Sequence, residues 1–164
     1  MRWFLVAMLT ALTACTAGPK LSYTPEDYLS SLNAVNQARA QARTCTHGSS
    51  MTHYDATNPL TWNGLLGEVA RQRAEYIQQT GQFSHFEGSS STYAVATRSQ
   101  QVGYKYLEIR ENLARGYASA ETVVADWLSS TLGHCNTIME PHLREMGMVR
   151  RGDYWVLVVA QPQP

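Results

Sequence analysis

Three short stretches place chemically capable side chains in unusual settings. Phe83-Ser84-His85-Phe86 sets a histidine between aromatic residues, and Arg110-Glu111-Asn112-Leu113-Ala114 sets a carboxylate in a strand-like run. Leu132-Gly133-His134-Cys135 sets a second histidine beside a cysteine. Taken singly each is modest evidence, because a histidine near apolar residues is more often a hydrogen-bonded structural group than a ligand. Ser84-His85 and Ser130-His134 can be written as nucleophile and base, but nearness in sequence does not establish the geometry that a serine hydrolase needs. The patterns H-E-x-x-H and G-x-S-x-G and a glycine-rich phosphate loop do not occur. His47, His53 and His142 lie in polar segments and are expected to be solvated.

The elements that must position these residues are legible from periodicity. Thr24 suits a helix N-cap, Pro25 the first helical position, and Glu26 and Asp27 the positive end of the helix dipole. Tyr28, Leu32, Val35 and Ala42 share one helical face, which predicts a first helix ending near Arg43. The polar run from Thr44 to Pro59 reads as a loop. A second helix follows Trp62, with Leu66, Val69, Ala70, Arg73, Ala74 and Ile77 at helical spacing and Gly81 as its left-handed stop. Residues 82 to 103 read as a long surface loop. Tyr106 to Leu113 is extended, Ser119-Ala120-Glu121 opens a third helix, and Met146 to Arg150 pairs with Tyr154 to Ala160 in a hairpin. The Arg151-Gly152-Asp153 tripeptide is the turn of that hairpin rather than an adhesion motif. Helices first and a hairpin last predict an α+β fold with helices packed on an antiparallel sheet.

Composition limits the partners. With 13 Lys+Arg against 13 Asp+Glu and no basic cluster, nothing matches a phosphate backbone, so nucleic acid is excluded as the expected partner. Apolar residues make up 44%, enough for a sizeable core, which argues against disorder. Met1-Arg2, the apolar run Trp3 to Leu12 and the small residues that close it read as a signal peptide over 1–14. Leu12-Thr13-Ala14-Cys15 resembles a bacterial lipobox, which implies cleavage before Cys15 and a covalently attached lipid on its thiol. Residues 15–23 would then be a lipidated tether, and the chain would hang from a membrane by its acyl chains. Export leaves Cys45 and Cys135 as an even pair in an oxidising compartment, where a disulfide is the default and two buried thiols the alternative.

In order along the chain, six short motifs resemble the CAP superfamily of cysteine-rich secretory proteins, antigen 5 and plant pathogenesis-related proteins of class 1. They are Leu32 with Val35-Asn36 and Arg39, Pro59-Leu60-Thr61-Trp62-Asn63, Phe83-Ser84-His85, Glu111-Asn112-Leu113-Ala114, Trp127, and Gly133-His134. The likeness implies a three-layer α-β-α sandwich over residues 24–164, with Cys45 and Cys135 placed as in single-domain bacterial members. It also implies a cleft of two histidines and two glutamates that in some members binds a divalent metal, often zinc. His85, Glu111 and His134 match that set, with Asn112 and Ser130 expected to line the cleft. The second glutamate is missing: three residues after Trp127 stands Ser130, while Glu121 and Glu140 are out of register to replace it, although Glu140 could approach from elsewhere. Arg110 also replaces the glycine that usually precedes Glu111. Two imidazoles and one carboxylate suffice for a weak zinc site if they converge. The function the resemblance implies is a lipid-anchored envelope module that binds a lipid, a cell-wall fragment or a protein. A metal-dependent hydrolase acting on peptide or wall material, and a purely structural envelope lipoprotein, are the alternatives.

Overall fold

A computed structural model describes residues 25–164. The expected signal peptide, Cys15, its tether and the Thr24 cap lie outside the described residues. Helix α1 spans Pro25–Arg39, followed by strands β1 (Arg43–His47), β2 (Ser50–Tyr54) and β3 (Thr61–Trp62). Helices α2 (Gly64–Thr80) and α3 (Ala94–Val102) precede strand β4 (Tyr106–Arg115). Helices α4 (Ala120–Ser129) and α5 (His134–Met139) lead to β5 (Glu145–Arg151) and β6 (Tyr154–Pro162).

The main sheet has the order β3-β5-β6-β4, antiparallel except where β3 runs parallel to β5. Alternation along β6 divides the core, since successive strand residues face opposite sides. Leu157 and Val159 face a layer built from α1, α4 and α5, with Val35, Val123, Trp127 and Ile138 buried against them. Val156, Val158 and Ala160 face α2 and α3, against Leu66, Val69, Ile77 and Val95. Helices on both faces make a three-layer α-β-α sandwich. Gly147 on β5 sets the spacing of one layer, because a Cβ there would lie 2.2 Å from the Gly67 nitrogen of α2. Any side chain at that position would push α2 off the sheet.

The local signals act as expected at several ends. Asn63 caps α2 by accepting from the Leu65 and Leu66 N–H groups, and Gly81 ends it at φ 73°. Ser119 caps α4 in a capping box with Thr122. Asn36 accepts from the Leu60 N–H at 2.8 Å and donates to its carbonyl at 3.0 Å, which pins the chain as it enters β3. Arg39, fully buried, donates to the carbonyls of Asn58 at 2.8 Å, Ile138 at 2.5 Å and Glu140 at 3.1 Å. It thereby fixes the turn that carries Glu140.

Three expectations are corrected. Helix α1 stops at Arg39 and not near Arg43, because the chain turns at once into β1. The expected loop 44–59 contains the β1-β2 hairpin, whose strands bury only Cys45 and so lack an apolar alternation. The expected loop 82–103 contains α3, anchored by buried Ala94, Val95 and Ser99, too few apolar residues to mark a helical face. Cys45 on β1 and Cys135 on α5 form a disulfide, with their Cα atoms 5.4 Å apart. It ties the hairpin to the turn that presents His134.

Candidate functional site

Strand β4 lies at the edge of the main sheet and sends alternate side chains to its two faces. Glu111 points toward α2 and Asn112 toward α5, so one dipeptide serves both sides of a cleft. The cleft has a volume of about 440 Å³, and His85, Glu111, Asn112 and His134 all line it. Ser130 does not. It meets Nδ1 of His134 at 3.0 Å. Glu140 does reach the cleft, from the turn after α5.

Beneath the cleft lies a buried ion network. Arg73 is fully buried and Glu111 is 2% exposed. Arg73 donates through Nε to Glu111 at 2.8 Å and through one terminal nitrogen at 3.2 Å. The other terminal nitrogen donates to Glu87 at 2.7 Å, and the Ser84 carbonyl accepts at 2.5 Å, which holds the loop that carries His85. Arg98 closes the network with two bonds of 2.9 Å to Glu87. Burial alone would raise the pKa of Glu87, but the bonds from Arg98 and Arg73 outweigh it and hold the carboxyl below its ordinary value.

The two histidines are oriented differently. His85 Nδ1 lies 2.9 Å from Glu111 Oε1. An ionised carboxylate only accepts, so Nδ1 of His85 carries a hydrogen and donates to Glu111. His134 Nδ1 lies 3.0 Å from Ser130 Oγ, which already accepts from the Leu132 N–H at 3.1 Å. The assignment that uses every donor has the Ser130 hydroxyl donating to Nδ1, so that His134 carries its hydrogen at Nε2. Burial lowers the pKa of His134, and nearby His85 lowers it further against a weaker opposing effect of Asp126. His134 is therefore a neutral donor at physiological pH. Asn112 donates to the His134 carbonyl at 3.0 Å and fixes the start of α5.

A second charged ring forms the rim. His142 approaches Glu108 at 2.6 Å through Nε2 and Glu140 at 2.9 Å through Nδ1. Arg110 donates to both carboxylates, at 3.2 Å to Glu140. His142 is thus held in a network and not simply solvated, and His47 lines the cleft with its ring 3.5 Å from the position of a Cβ on Gly133. His53 remains largely exposed.

The carboxylate of the expected metal set is already committed in this arrangement. Both oxygens of Glu111 are taken by Arg73 and His85, and Ser130 occupies Nδ1 of His134. Among the described residues, no group of three His, Cys, Asp or Glu side chains is placed to hold a metal. The cationic partner of Glu111, Arg73, stands in the apolar stripe of α2. A lone arginine among Val69, Ala70, Ala74 and Ile77 was the available sign that a buried carboxylate must meet it.

Helices on both faces of the sheet with this edge-strand cleft define an α-β-α sandwich domain. The chain belongs to the cysteine-rich secretory protein (CAP) family, whose model matches residues 32–158. An uncharacterised Bacillus subtilis (strain 168) protein, YkwD, is 29% identical over 100 residues, 59% of this chain and 37% of that protein. An extracellular SCP-domain protein of Bacillus anthracis superposes with a TM-score of 0.65 at 16% identity, over 88% of this chain and 45% of that one. An outer surface protein of Borrelia burgdorferi superposes with a TM-score of 0.55 at 21% identity, over 65% of this chain and 80% of that one. The chain thus spans less than half the length of the first two, and the structural likenesses establish the fold alone.

Proposed function

We propose that this chain is a ligand-binding module of the bacterial cell envelope, held to a membrane through a lipid on Cys15, with the His85–Glu111–His134 cleft as its binding site. The observation that carries the reading is the internal pairing of the site. Glu111 is neutralised by Arg73, and His134 is held neutral by burial, so the cleft offers oriented hydrogen-bonding groups on a rigid floor. Attack on a substrate needs a nucleophile facing it. Ser130 has the distance to His134 for such a role but stands outside the cleft lining, and the Ser84 hydroxyl accepts from the Phe86 N–H. Binding therefore suits the geometry better than turnover. Extracellular and outer-surface relatives support an envelope location.

Native mass spectrometry of the detergent-extracted protein tests both parts. The expected spectrum has an acylated Cys15 and a co-purified ligand that is lost in His85→Ala, and Cys15→Ser should release the protein from the detergent phase. An unacylated mature chain would refute the anchor. Turnover of wall material that disappears with His85→Ala would refute the binding reading.

A further inference from the structure

The polar cleft does not end at the histidines. A second cavity of about 240 Å³ shares His85, Arg110, Glu111 and Thr137 with the first, so the two are lobes of one groove. The second lobe is lined by Tyr93, Val95 and Ile109. Tyr93 is 57% exposed and is backed by Phe86, stacked at 4.9 Å between centroids and 18° between planes. His85 meets its edge at 6.2 Å. An aromatic ring left this exposed yet held from behind is a preformed platform for a flat apolar face.

The polar lobe contains unmet demand. Asn112 is fully buried, and its Oδ1 has no hydrogen-bond partner although its Nδ2 is committed to the His134 carbonyl. Asn136 Oδ1 is likewise buried and unpartnered, while its Nδ2 donates to the Tyr54 hydroxyl at 3.3 Å. Buried acceptors without donors are uncommon in native proteins and call for an N–H or O–H from elsewhere. His134 supplies a donor beside them. The charged groups around the groove are paired with one another, Arg73 and Arg98 with Glu111 and Glu87, and Arg110 with Glu108 and Glu140, which His142 also meets. That pairing gives a charged ligand no advantage.

From these features we infer that the groove binds a neutral glycan bearing acetamido groups, with a sugar ring against Tyr93 and its polar groups in the histidine lobe. The inference rests on the binding reading above. An acetamido group carries the N–H that the asparagine oxygens lack, a carbonyl for His134, and a methyl for the Val95 and Ile109 wall. Hydroxyls supply the remaining donors. A fatty acyl chain would leave the asparagine oxygens unmet, and a polyanion would meet Glu140 and Glu111.

The test is titration of an N-acetylglucosamine tetramer into the detergent-solubilised full chain, followed by the ring resonances of His85, His134 and Tyr93. Saturable shifts are expected at millimolar ligand or below, with affinity changing less than about twofold between roughly 0.05 and 0.5 M salt. Tyr93→Ala should weaken binding at least about tenfold, as truncation of a stacking platform does, while Tyr93→Phe retains it. Asn136→Leu, at a half-buried site, should weaken it without unfolding the chain. A glucose tetramer, which lacks acetamido groups, should bind at least about tenfold more weakly, a discrimination set by polar groups left unpaired. No saturable shift with the acetamido tetramer, or Tyr93→Ala binding as the wild type does, overturns the inference. If a wall-derived peptide or a fatty acid shifts the same histidines when the tetramer does not, the glycan inference fails and the binding cleft stands. If none of the three shifts them, both fail.

Discussion

Arg73→Met should be among the most damaging single changes outside the apolar core. Arg73 is fully buried and Glu111 is 2% exposed, so neither charge is solvated in the folded chain. Glu111 receives three charge-assisted bonds, two from Arg73 and one from His85 Nδ1. Methionine preserves most of the aliphatic stem and removes two of the three. Removing one partner of a buried pair costs about 3–5 kcal/mol, because the other charge stays desolvated. Glu87 adds little to that sum, since it is 22% exposed and keeps both bonds from Arg98. A domain stable by about 5–15 kcal/mol should survive the loss with a much lower urea midpoint. Glu111→Gln on that background removes the stranded charge, so the double variant should cost less than the sum of the singles by more than about 1 kcal/mol. Urea unfolding of the four proteins of the cycle provides the measurement. An Arg73→Met penalty below about 1 kcal/mol, or strict additivity, would show that the pair does not hold the floor of the cleft.

Other consequences are equally direct. The Cys45–Cys135 bond closes a sequence separation of 90 residues, and chain-entropy reasoning assigns such a link about 4–5 kcal/mol; Cys45→Ser/Cys135→Ser should lose stability on that scale in denaturant unfolding, and an unchanged midpoint would contradict it. Glu68 is held below its ordinary pKa chiefly by the bond from Arg71, and Glu87 and Glu108 are held low by their cationic partners against the opposing effect of burial. Their stabilisation is complete above the unfolded carboxyl pKa of about 4.3 and lost as pH falls through the lower folded values; a melting temperature that stays flat on acidification through that window would refute it. His134 has a lowered folded pKa, through burial first and His85 second, so the unfolded chain binds its proton more readily. Stability from His134 is therefore complete above about pH 6.5 and falls as pH drops below it; the pH slope should flatten in His134→Gln, and an identical slope would reject the assignment.

The layers of the fold were legible wherever a burial pattern was written in apolar residues. Helix α2 and the β5-β6 hairpin bury continuous faces, and their stops at Gly81 and at the Gly152-Asp153 turn are local. The β1-β2 hairpin was invisible for the opposite reason. Its strands are mostly exposed Thr, His and Ser residues, and what ties it down is one cysteine whose partner lies 90 positions away. Helix α3 is nine residues long and buries only three, so propensity and periodicity had little to register. Such elements exist because neighbours cover them, which a linear pattern does not record.

The site was legible as a set of residues but not as chemistry. His85, Glu111 and His134 line one cleft, and resemblance alone suggested a cation among them. Two neighbours shape that set. Arg73 meets Glu111 from α2 and neutralises its charge. Ser130 stands where a second carboxylate was expected, and an uncharged hydroxyl leaves His134 free to be neutral, whereas a carboxylate at Nδ1 would favour the imidazolium. Together they tie His85 to a carboxylate and leave His134 a neutral donor. On the binding reading proposed above, such a groove would discriminate by the pattern of hydrogen-bonding groups a ligand carries and not by its charge, and that would follow from the partners of the histidines more than from the histidines themselves.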